Sequence, residues 1–308
     1  MKVGLVVPQF GINATKENLV RFINLAEKEG FESLWVYHRM LYPIDPQQGY
    51  GTPDKSQWPE YLKNSLDPLT TLAFIAGNTS KVNLGTCIID MTFHNPVTLA
   101  KEFTTIDILS EGRVICGFGI GWSKDEYLAA NIPYEKRGER ANEILQAMKK
   151  VWTDDIIEFN GNFYKIPKSI IGPKPIQKPH PKILLGGLSP KTFERMAKYG
   201  DGYIGVLAGS FEYFSNSIEM FNEAIEKSSK TRKDFDLTIL TYPYLMKSSP
   251  EEGDRAPMTG RTIDEIGSDL SKLKSFGVDR VILAVNTDKD YDVNETIEFV
   301  KELRKFCQ

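Results

Sequence analysis

The sequence predicts one α/β domain over residues 1–308, a (β/α)8 barrel in which eight parallel strands alternate with eight helices. Apolar segments of strand character alternate eight times with helical segments, and this order builds a parallel sheet. No strand–strand hairpin interrupts the main series, and 308 residues lie within the range of a single barrel. A doubly wound open sheet is the alternative fold.

The strands are predicted from short apolar runs, and the helices from N-cap residues followed by an apolar face. Thr15 is a plausible N-cap, and Asp67, Asn95 and Ser189 each precede a proline, which suits the first helical position. The predicted strands are residues 2–8, 33–37, 82–89, 114–118, 182–185, 202–206, 237–242 and 279–285. The helices after them begin near residues 15, 67, 95, 138, 189, 211, 262 and 294.

Insertions are predicted after strands two, four and seven. Residues 39–65 and 243–260 are polar and rich in proline or glycine, and residues 153–180 combine a hairpin turn at Asn160-Gly161 with a proline-stiffened connector. The insertions after strands two and seven fall at the carboxyl ends of the strands, where barrel enzymes build their sites. Residues 47–63 carry three large aromatic side chains and are a candidate lid over the substrate.

Composition excludes several classes of function. The formal net charge is −3 and no stripe of Lys or Arg is present, so nucleic acid is not an expected partner. The chain opens on a strand and has no apolar run near 18 residues, so we expect no membrane partner and a cytoplasmic location. The three cysteines are widely spaced and the chain has three histidines, so neither a disulfide framework nor a metal site is expected.

A glycine-rich strand end marks the predicted ligand site. Residues 113–122 read R-V-I-C-G-F-G-I-G-W, with Gly117, Gly119 and Gly121 at alternate positions before Trp122. A strand that ends in glycine allows close approach to its backbone, and parallel α/β proteins bind ligands at this end of their strands. The segment therefore predicts contact with a ligand.

A second stretch predicts a phosphate site. Gly186, Gly187 and Ser189 precede a helix, and they combine free backbone N–H groups, the positive helix end and a hydroxyl. A tight turn without a ligand is the alternative interpretation. The other strand ends offer mainly glycine, aromatic and aliphatic side chains, which suit a flat, mostly apolar and partly anionic ligand.

Residues 82–122 resemble the bacterial-luciferase-like flavin and deazaflavin oxidoreductases. They read V-N-L-G-T-C-I-I-D-M-T-F-H-N-P-V-T-L-A-K-E-F-T-T-I-D-I-L-S-E-G-R-V-I-C-G-F-G-I-G-W, with the family's Leu-Gly-Thr strand end, Asn-Pro helix start and glycine-rich strand before a Trp. Further landmarks are Y-E-K-R-G-E-R at 134–140, P-K-P-I-Q-K-P-H-P at 173–181, G-G-L-S-P at 186–190 and G-D-G-Y at 200–203. The resemblance covers almost the whole chain.

The resemblance implies a cofactor, either the deazaflavin coenzyme F-420 or FMN, with its ring near strands two to four. It implies a phosphate near Gly186, Gly187 and Ser189, and a non-proline cis peptide at Cys87-Ile88 against the ring. Cys87 as a small core residue is the alternative. The implied ring contacts are Tyr37, His38, Cys87, Ile88, Gly117, Gly119, Gly121, Trp122 and Asp125. Arg137 and Arg140 are either surface charges or a cationic pair beside the cofactor tail.

Residues 34–39, L-W-V-Y-H-R, are most similar to the branch assigned to F-420. The position of His38 is commonly Asp there, and the His that acts on substrate would fall at Arg39, so the resemblance makes His38 and Arg39 the catalytic candidates. His38 could donate the proton or hydrogen-bond to the ring. Some deazaflavin enzymes place a Glu where this chain has Trp122, and its absence argues against a sugar-phosphate dehydrogenase.

Three functions follow from the resemblance. The leading one is hydride transfer between reduced F-420 and a small organic substrate. The alternative is an FMNH2-dependent monooxygenase that uses O2 and a separate flavin reductase. A flavin-binding protein without catalysis is the third, although the polar residues 37–39 and the long insertions argue against it. A homodimer is expected from the family.

Overall fold

A computed structural model describes residues 1–51, 55–207, 209–246, 255–285 and 291–308. Its strands, in chain order, are β1 (Lys2–Val6), β2 (Ser33–Val36), β3 (Asn83–Thr86), β4 (Ile89–Asp90), β5 (Val114–Gly119), β6 (Ile157–Asn160), β7 (Lys165–Ser169), β8 (Lys182–Leu185), β9 (Gly202–Val206), β10 (Asp236–Thr241), β11 (Tyr244–Leu245), β12 (Thr259–Gly260) and β13 (Arg280–Leu283). Its helices are α1 (Lys16–Lys28), α2 (Pro68–Asn78), α3 (Pro96–Leu109), α4 (Lys124–Ala129), α5 (Arg137–Thr153), α6 (Pro190–Tyr199), α7 (Phe211–Glu226), α8 (Ile263–Ser275) and α9 (Val293–Arg304).

The main strands form a closed parallel barrel, which confirms the predicted fold class. The order runs β3, β2, β1, β13, β10, β9, β8, β5, and β3 pairs with β5 to close the ring. The first and last strands of the chain are neighbours, with Lys2 opposite Arg280 and Leu5 opposite Leu283. The predicted third strand is interrupted, because β3 and β4 are two pieces separated by Cys87 and Ile88. Residues 247–254 of the predicted insertion after strand seven lie outside the described residues.

The helix starts confirm most of the predicted capping. The side chains of Thr15, Asp67 and Asn95 accept hydrogen bonds from backbone N–H groups in the first turns of α1, α2 and α3. Each bond satisfies a helix donor that would otherwise be unpaired. Ser189 occupies the N-cap position of α6, but its hydroxyl caps no backbone N–H group and lies 3.2 Å from the Thr192 hydroxyl.

Packed side chains fill the amino end of the barrel interior. Trp35 is fully buried there, and a Cβ atom at Gly85 would lie 2.3 Å from its ring. The Arg280 guanidinium lies 5.7 Å from the Trp35 ring centroid and donates to both carboxylate oxygens of Glu32, at 2.8 and 2.9 Å. Close packing and a bidentate ion pair therefore close this end.

The insertions are ordered where the structure describes them. In the insertion after β2, Trp58 and Leu62 are buried beside Phe10. The insertion after β5 contains α4 and, beyond α5, the predicted hairpin, in which β6 and β7 pair antiparallel around Asn160-Gly161. The carboxylate of Glu143 accepts the backbone N–H groups of residues 162–164 and holds this turn. After β10, β11 and β12 form a small parallel pair.

Candidate active site

The carboxyl ends of β2 and β3 meet at a strand bulge. The peptide bond between Cys87 and Ile88 is cis, as the resemblance implied. His38 holds both sides of it, because its backbone N–H donates to the Ile88 carbonyl at 3.1 Å and its Nδ1 lies 3.4 Å from the Asp90 backbone nitrogen. His38, just after β2, is thus hydrogen-bonded to Ile88 within the bulge and to Asp90 after it.

The glycines of β5 make room for this bulge. A Cβ atom at Gly117 would lie 1.8 Å from the Thr86 carbonyl oxygen, and one at Gly119 would lie 2.3 Å from the Ile88 side chain. Gly117 also exchanges two hydrogen bonds of 2.8 Å with the Thr86 hydroxyl. Gly121 has a φ of +72°, a left-handed conformation that suits glycine. Packing against the neighbouring strand therefore explains Gly117 and Gly119, and their predicted contact with a cofactor remains a prediction.

His38 is neutral at neutral pH. Its ring is buried against Phe93 and His94, with centroids 5.9 and 5.7 Å away. Burial is the main cause that lowers its pKa to about 4, and the nearby His94 and Arg39 add to the effect. Because Nδ1 accepts the Asp90 N–H, the neutral ring carries its proton on Nε2.

Arg39 forms a buried ion pair with Glu126. Its Nη1 atom lies 3.0 Å from Oε2 of Glu126, and their side chains are 8% and 1% exposed. The guanidinium carbon lies 5.2–5.7 Å from the ring centroids of Tyr50, Trp58 and Trp122. We call these three rings the arginine cage. It joins the insertion after β2 to the loop after β5.

Asp90 is a buried acid that the sequence-based site did not include. It ends β4, and its carboxylate accepts the backbone N–H of Gly121. Burial raises its pKa to about 7, although Arg39 opposes the shift. Its position at the end of a strand was visible in the sequence, but nothing there indicated that its carboxyl lies buried beside Glu126.

Two cavities open at the carboxyl end of the barrel. The inner cavity has a volume of about 230 Å³ and lies among β1, β2, β10 and β13. Its described lining residues are Val6, Val7, Gln9, Phe10, Tyr37, Tyr61, Tyr242, Pro243, Tyr244, Ala284 and Val285. The second cavity, the cationic groove, has a volume of about 620 Å³ and lies between α5 and α6. Lys136, Arg137, Lys191, Arg195 and Lys198 line it, together with Glu139 and Glu194.

The cationic groove is suited to an anion. Both helix starts that border it lack a side-chain cap, because Lys136 and Ser189 cap no backbone N–H group. The Nε atom of Arg137 is buried without a hydrogen-bond partner in the described part of the chain. Gly187 has a φ of +135°, and a Cβ atom there would lie 2.6 Å from the Thr192 hydroxyl. Free N–H groups, two helix dipoles and cations converge here.

The bulge lies between the two cavities. On the side of the cationic groove, the Ile88 side chain lies against Gly119 and Gly186. Ile120 and Ser189 form part of the groove wall there. On the other side, Tyr37 lines the inner cavity directly before His38 in the chain. A long ligand could therefore contact the groove, the bulge and the inner cavity together.

Other predicted residues have partners elsewhere. Both carboxylate oxygens of Asp125 accept hydrogen bonds of 3.0 Å from Gln47 in the insertion after β2. Of the predicted cationic pair, only Arg137 lines the groove. Arg140 donates to the Pro133 carbonyl at 2.9 Å and packs on Phe163. Trp122 belongs to the arginine cage.

The described residues hold neither a candidate metal centre nor a candidate membrane span. They contain no group of three or more His, Cys, Asp or Glu side chains able to hold a metal ion. Across the same residues, every helix is too short or too polar to cross a membrane.

The chain combines a closed parallel barrel with a cis bulge and a cationic groove at the carboxyl ends of its strands. Residues 1–261 match the model of the luciferase-like monooxygenase family, and the chain belongs to this family. Its members are oxidoreductases and monooxygenases that use a flavin or F-420.

Named relatives include users of both cofactors. An F420-dependent glucose-6-phosphate dehydrogenase from Amycolatopsis mediterranei is 28% identical over 75% of this chain and 65% of its own length. An FMNH2-dependent dimethylsulfone monooxygenase from Pseudomonas putida is 29% identical over 59% of this chain and 47% of its own. The chain thus spans less than two thirds of the curated relatives it matches first.

The fold is shared with solved structures along the full chain. An F420-dependent secondary alcohol dehydrogenase, solved with an F420-acetone adduct, superposes with a TM-score of 0.77 over 100% of this chain and 99% of its own, at 18% identity. The monooxygenase RslO1 from Streptomyces bottropensis has the same TM-score at 21% identity, over 99% and 98% of the two chains. At these identities the likeness concerns the fold.

Proposed function

We propose that the protein is an F-420-dependent oxidoreductase that transfers a hydride between the coenzyme and a small organic substrate. The observation that carries this proposal is the extent of the cationic groove. Lys191 and Lys198 both line it and lie seven residues apart on α6, about 10 Å along the helix. The cationic side chains therefore continue beyond the predicted phosphate site at Gly187 and Ser189.

This extent favours the longer coenzyme. FMN ends in one phosphate group, whereas F-420 carries a phosphodiester followed by glutamate carboxylates. Arg137, Lys191 and the uncapped starts of α5 and α6 would hold a phosphate, and Lys198 would hold a carboxylate farther out. F-420 supplies two-electron chemistry when it is bound, because its reduced form gives a hydride to a carbonyl or activated double bond and its oxidised form takes one from an alcohol.

The bulge and its support would position the ring of the cofactor. His38 holds Ile88 and Asp90 through the hydrogen bonds described above, and its neutral ring retains a donor at Nε2. We therefore propose His38 as the residue that fixes the bulge and donates a hydrogen bond. Arg39 is proposed as a positioning residue, since Glu126 and three aromatic rings occupy its guanidinium.

A side-by-side titration tests the proposal. The wild-type protein is expected to bind F-420 more tightly than FMN. Arg137→Gln should weaken both cofactors by about 10-fold or more, since a hydrogen bond to a charged group is lost. Lys198→Gln should weaken F-420 by about 2- to 5-fold and leave FMN unchanged, because FMN would not reach it. Lys165→Gln, at an exposed position of the hairpin, is the control.

The monooxygenase is the competing outcome of the same titration. Tighter binding of FMN than of F-420 would contradict the proposal. An equal effect of Lys198→Gln on both cofactors would also contradict it, because the argument depends on contacts beyond the phosphate.

A further inference from the structure

The inner cavity is lined mainly by apolar and aromatic side chains. Among the described residues, its walls contain apolar side chains, four tyrosines and one glutamine, and no Lys, Arg, Asp, Glu or His. Its volume of about 230 Å³ is below the range of roughly 300–1,000 Å³ that is usual for drug-sized ligands. The cavity therefore suits a small molecule.

The amide of Gln9 is already used by the fold. Its Nε2 donates to the carbonyls of Tyr37 and Leu66 at 2.8 and 3.3 Å, and its Oε1 accepts the Tyr37 N–H at 2.9 Å. Gln9 therefore fixes the backbone of Tyr37 and offers little to a ligand. The Tyr37 ring is further fixed by stacking on Phe10, with centroids 4.5 Å apart.

The phenols of Tyr37 and Tyr242 are two polar groups of the lining that can face a ligand. Among the described residues, neither hydroxyl has a hydrogen-bond partner. Burial and the neighbouring tyrosines raise the pKa of both groups above the usual value of 10.0, so both stay protonated. A protonated phenol donates a hydrogen bond, and an oxygen acceptor on the ligand would satisfy it.

Among the described lining residues of this cavity, a charged ligand would find no counter-ion. Arg39 acts electrostatically on Tyr242, but Glu126 already neutralises its charge at 3.0 Å. The lysines and arginines of the groove lie on the other side of the bulge. Burying a carboxylate or phosphate without a partner is costly, so the lining selects against it.

We propose that the inner cavity binds a small, uncharged organic substrate with a carbonyl or hydroxyl oxygen, held by Tyr37 and Tyr242, and that it rejects carboxylates and phosphates. This inference rests on the proposed function, because it names the substrate class of the same site. Its structural basis is the lining of the described residues, which carries no charge, and the phenols of Tyr37 and Tyr242, which have no hydrogen-bond partner among those residues. Small ketones, aldehydes, enones and secondary alcohols belong to the class.

Matched probes of one shape test the inference. Each set contains a carbonyl compound, a carboxylate and a hydrocarbon. The first set is benzaldehyde, benzoate and toluene, and the second is cyclohexanone, cyclohexanecarboxylate and methylcyclohexane. Calorimetry measures the binding of each probe to the protein with and without F-420. The carbonyl probe is expected to bind on the order of 100-fold more tightly than the carboxylate. Tyr37→Phe and Tyr242→Phe should each weaken the carbonyl probe by about 2- to 10-fold and leave the hydrocarbon unchanged. Tyr213→Phe, at an exposed position on α7, is the control.

Carboxylate binding as tight as carbonyl binding would overturn the inference. Unchanged carbonyl affinity in both Phe variants, or no binding of any probe, would also overturn it. The two proposals fail separately in this design. A protein that binds F-420 but no carbonyl probe disproves the substrate class alone, whereas one that binds carbonyl probes but no F-420 disproves the proposed cofactor alone.

Discussion

Arg39 and Glu126 form a buried ion pair of 3.0 Å between residues 87 positions apart in the chain. Both carboxylate oxygens of Glu126 have a hydrogen-bond donor, because Oε1 accepts the Met40 N–H at 2.8 Å. Three aromatic rings cover the guanidinium. The pair therefore fixes the start of the insertion after β2 onto α4, beside both the bulge and the buried carboxyl of Asp90.

Glu126→Gln should strongly destabilise the protein. It leaves the Arg39 charge buried without a partner, and breaking such a pair by removing one member costs about 3–5 kcal/mol. Chemical denaturation measures the loss as a lower midpoint. Glu135→Gln, at an exposed position of the following loop, is the control and should change stability by less than about 0.5 kcal/mol. A similarly small change for Glu126→Gln would show that the pair contributes little.

His38 and Asp90 should have opposite effects on stability as the pH is lowered. Folding lowers the pKa of His38 from 6.5 to about 4, so between these values the unfolded chain binds a proton that the folded chain lacks. Stability attributable to His38 therefore falls as the pH decreases. Folding raises the pKa of Asp90 from 3.8 to about 7, so the folded chain binds the extra proton and stability attributable to Asp90 rises as the pH decreases.

Single substitutions should separate the two effects. Between pH 7 and pH 4.5, His38→Gln should gain about 3 kcal/mol of stability relative to wild type, and Asp90→Asn should lose about as much. Urea unfolding at both pH values measures the difference, and contributions from the other titrating groups cancel in the comparison. Parallel pH profiles for all three proteins would rule out the assigned shifts.

The glycines of β5 should tolerate no side chain where the bulge packs. Gly117→Ala places a Cβ atom 1.8 Å from the Thr86 carbonyl oxygen, a backbone atom, and should cost at least about 3 kcal/mol or prevent folding. Gly77→Ala is the matched control, because its Cβ would meet nothing within 4 Å near the end of α2. It should gain about 0.5–1 kcal/mol from helix propensity. Thermal unfolding compares the two, and equal melting temperatures would contradict the packing account.

Asp125 should control how firmly the insertion after β2 is held. Asp125→Ala removes two hydrogen bonds to Gln47, each worth about 0.5–1.5 kcal/mol, and should expose the insertion more often. Trypsin should then cleave at the exposed Lys55 about 10-fold faster, as followed by mass spectrometry. Asp155→Ala, exposed near the hairpin, serves as control. If Asp125→Ala and the control are cleaved equally fast, Asp125 does not hold the insertion.

The sequence predicted the barrel because its signals are local. Each strand is a short apolar run, and caps such as Thr15 and Asn95 act within three residues. The bulge at Cys87-Ile88 came only from family resemblance. The partners of Arg39 and Asp125 could not be predicted, because they lie 87 and 78 positions away and depend on how an irregular insertion packs. Burial, which sets the pKa of Asp90 and His38, follows from the same packing.

For the β5 glycines, the sequence predicted the close contact but not the group that makes it. Their spacing predicted close backbone approach, which is correct, but the approaching groups are Thr86 and Ile88 of the neighbouring strand. Similarly, Arg137 and Arg140 look equivalent in sequence, yet only Arg137 lines the groove, while Arg140 donates to the Pro133 carbonyl. Which face of a helix start meets a cavity depends on the packing of α5 against α6.

Turnover with and without oxygen tests the central claim most directly. The protein is mixed with reduced F-420 and cyclohex-2-en-1-one or benzaldehyde, and oxidation of the coenzyme and formation of reduced product are followed under argon and in air. Hydride transfer predicts equal product in both conditions, with one coenzyme oxidised per substrate reduced. A parallel reaction replaces reduced F-420 with reduced FMN. Product that forms only in this reaction, only in air and with oxygen incorporated would contradict the claim and establish a monooxygenase.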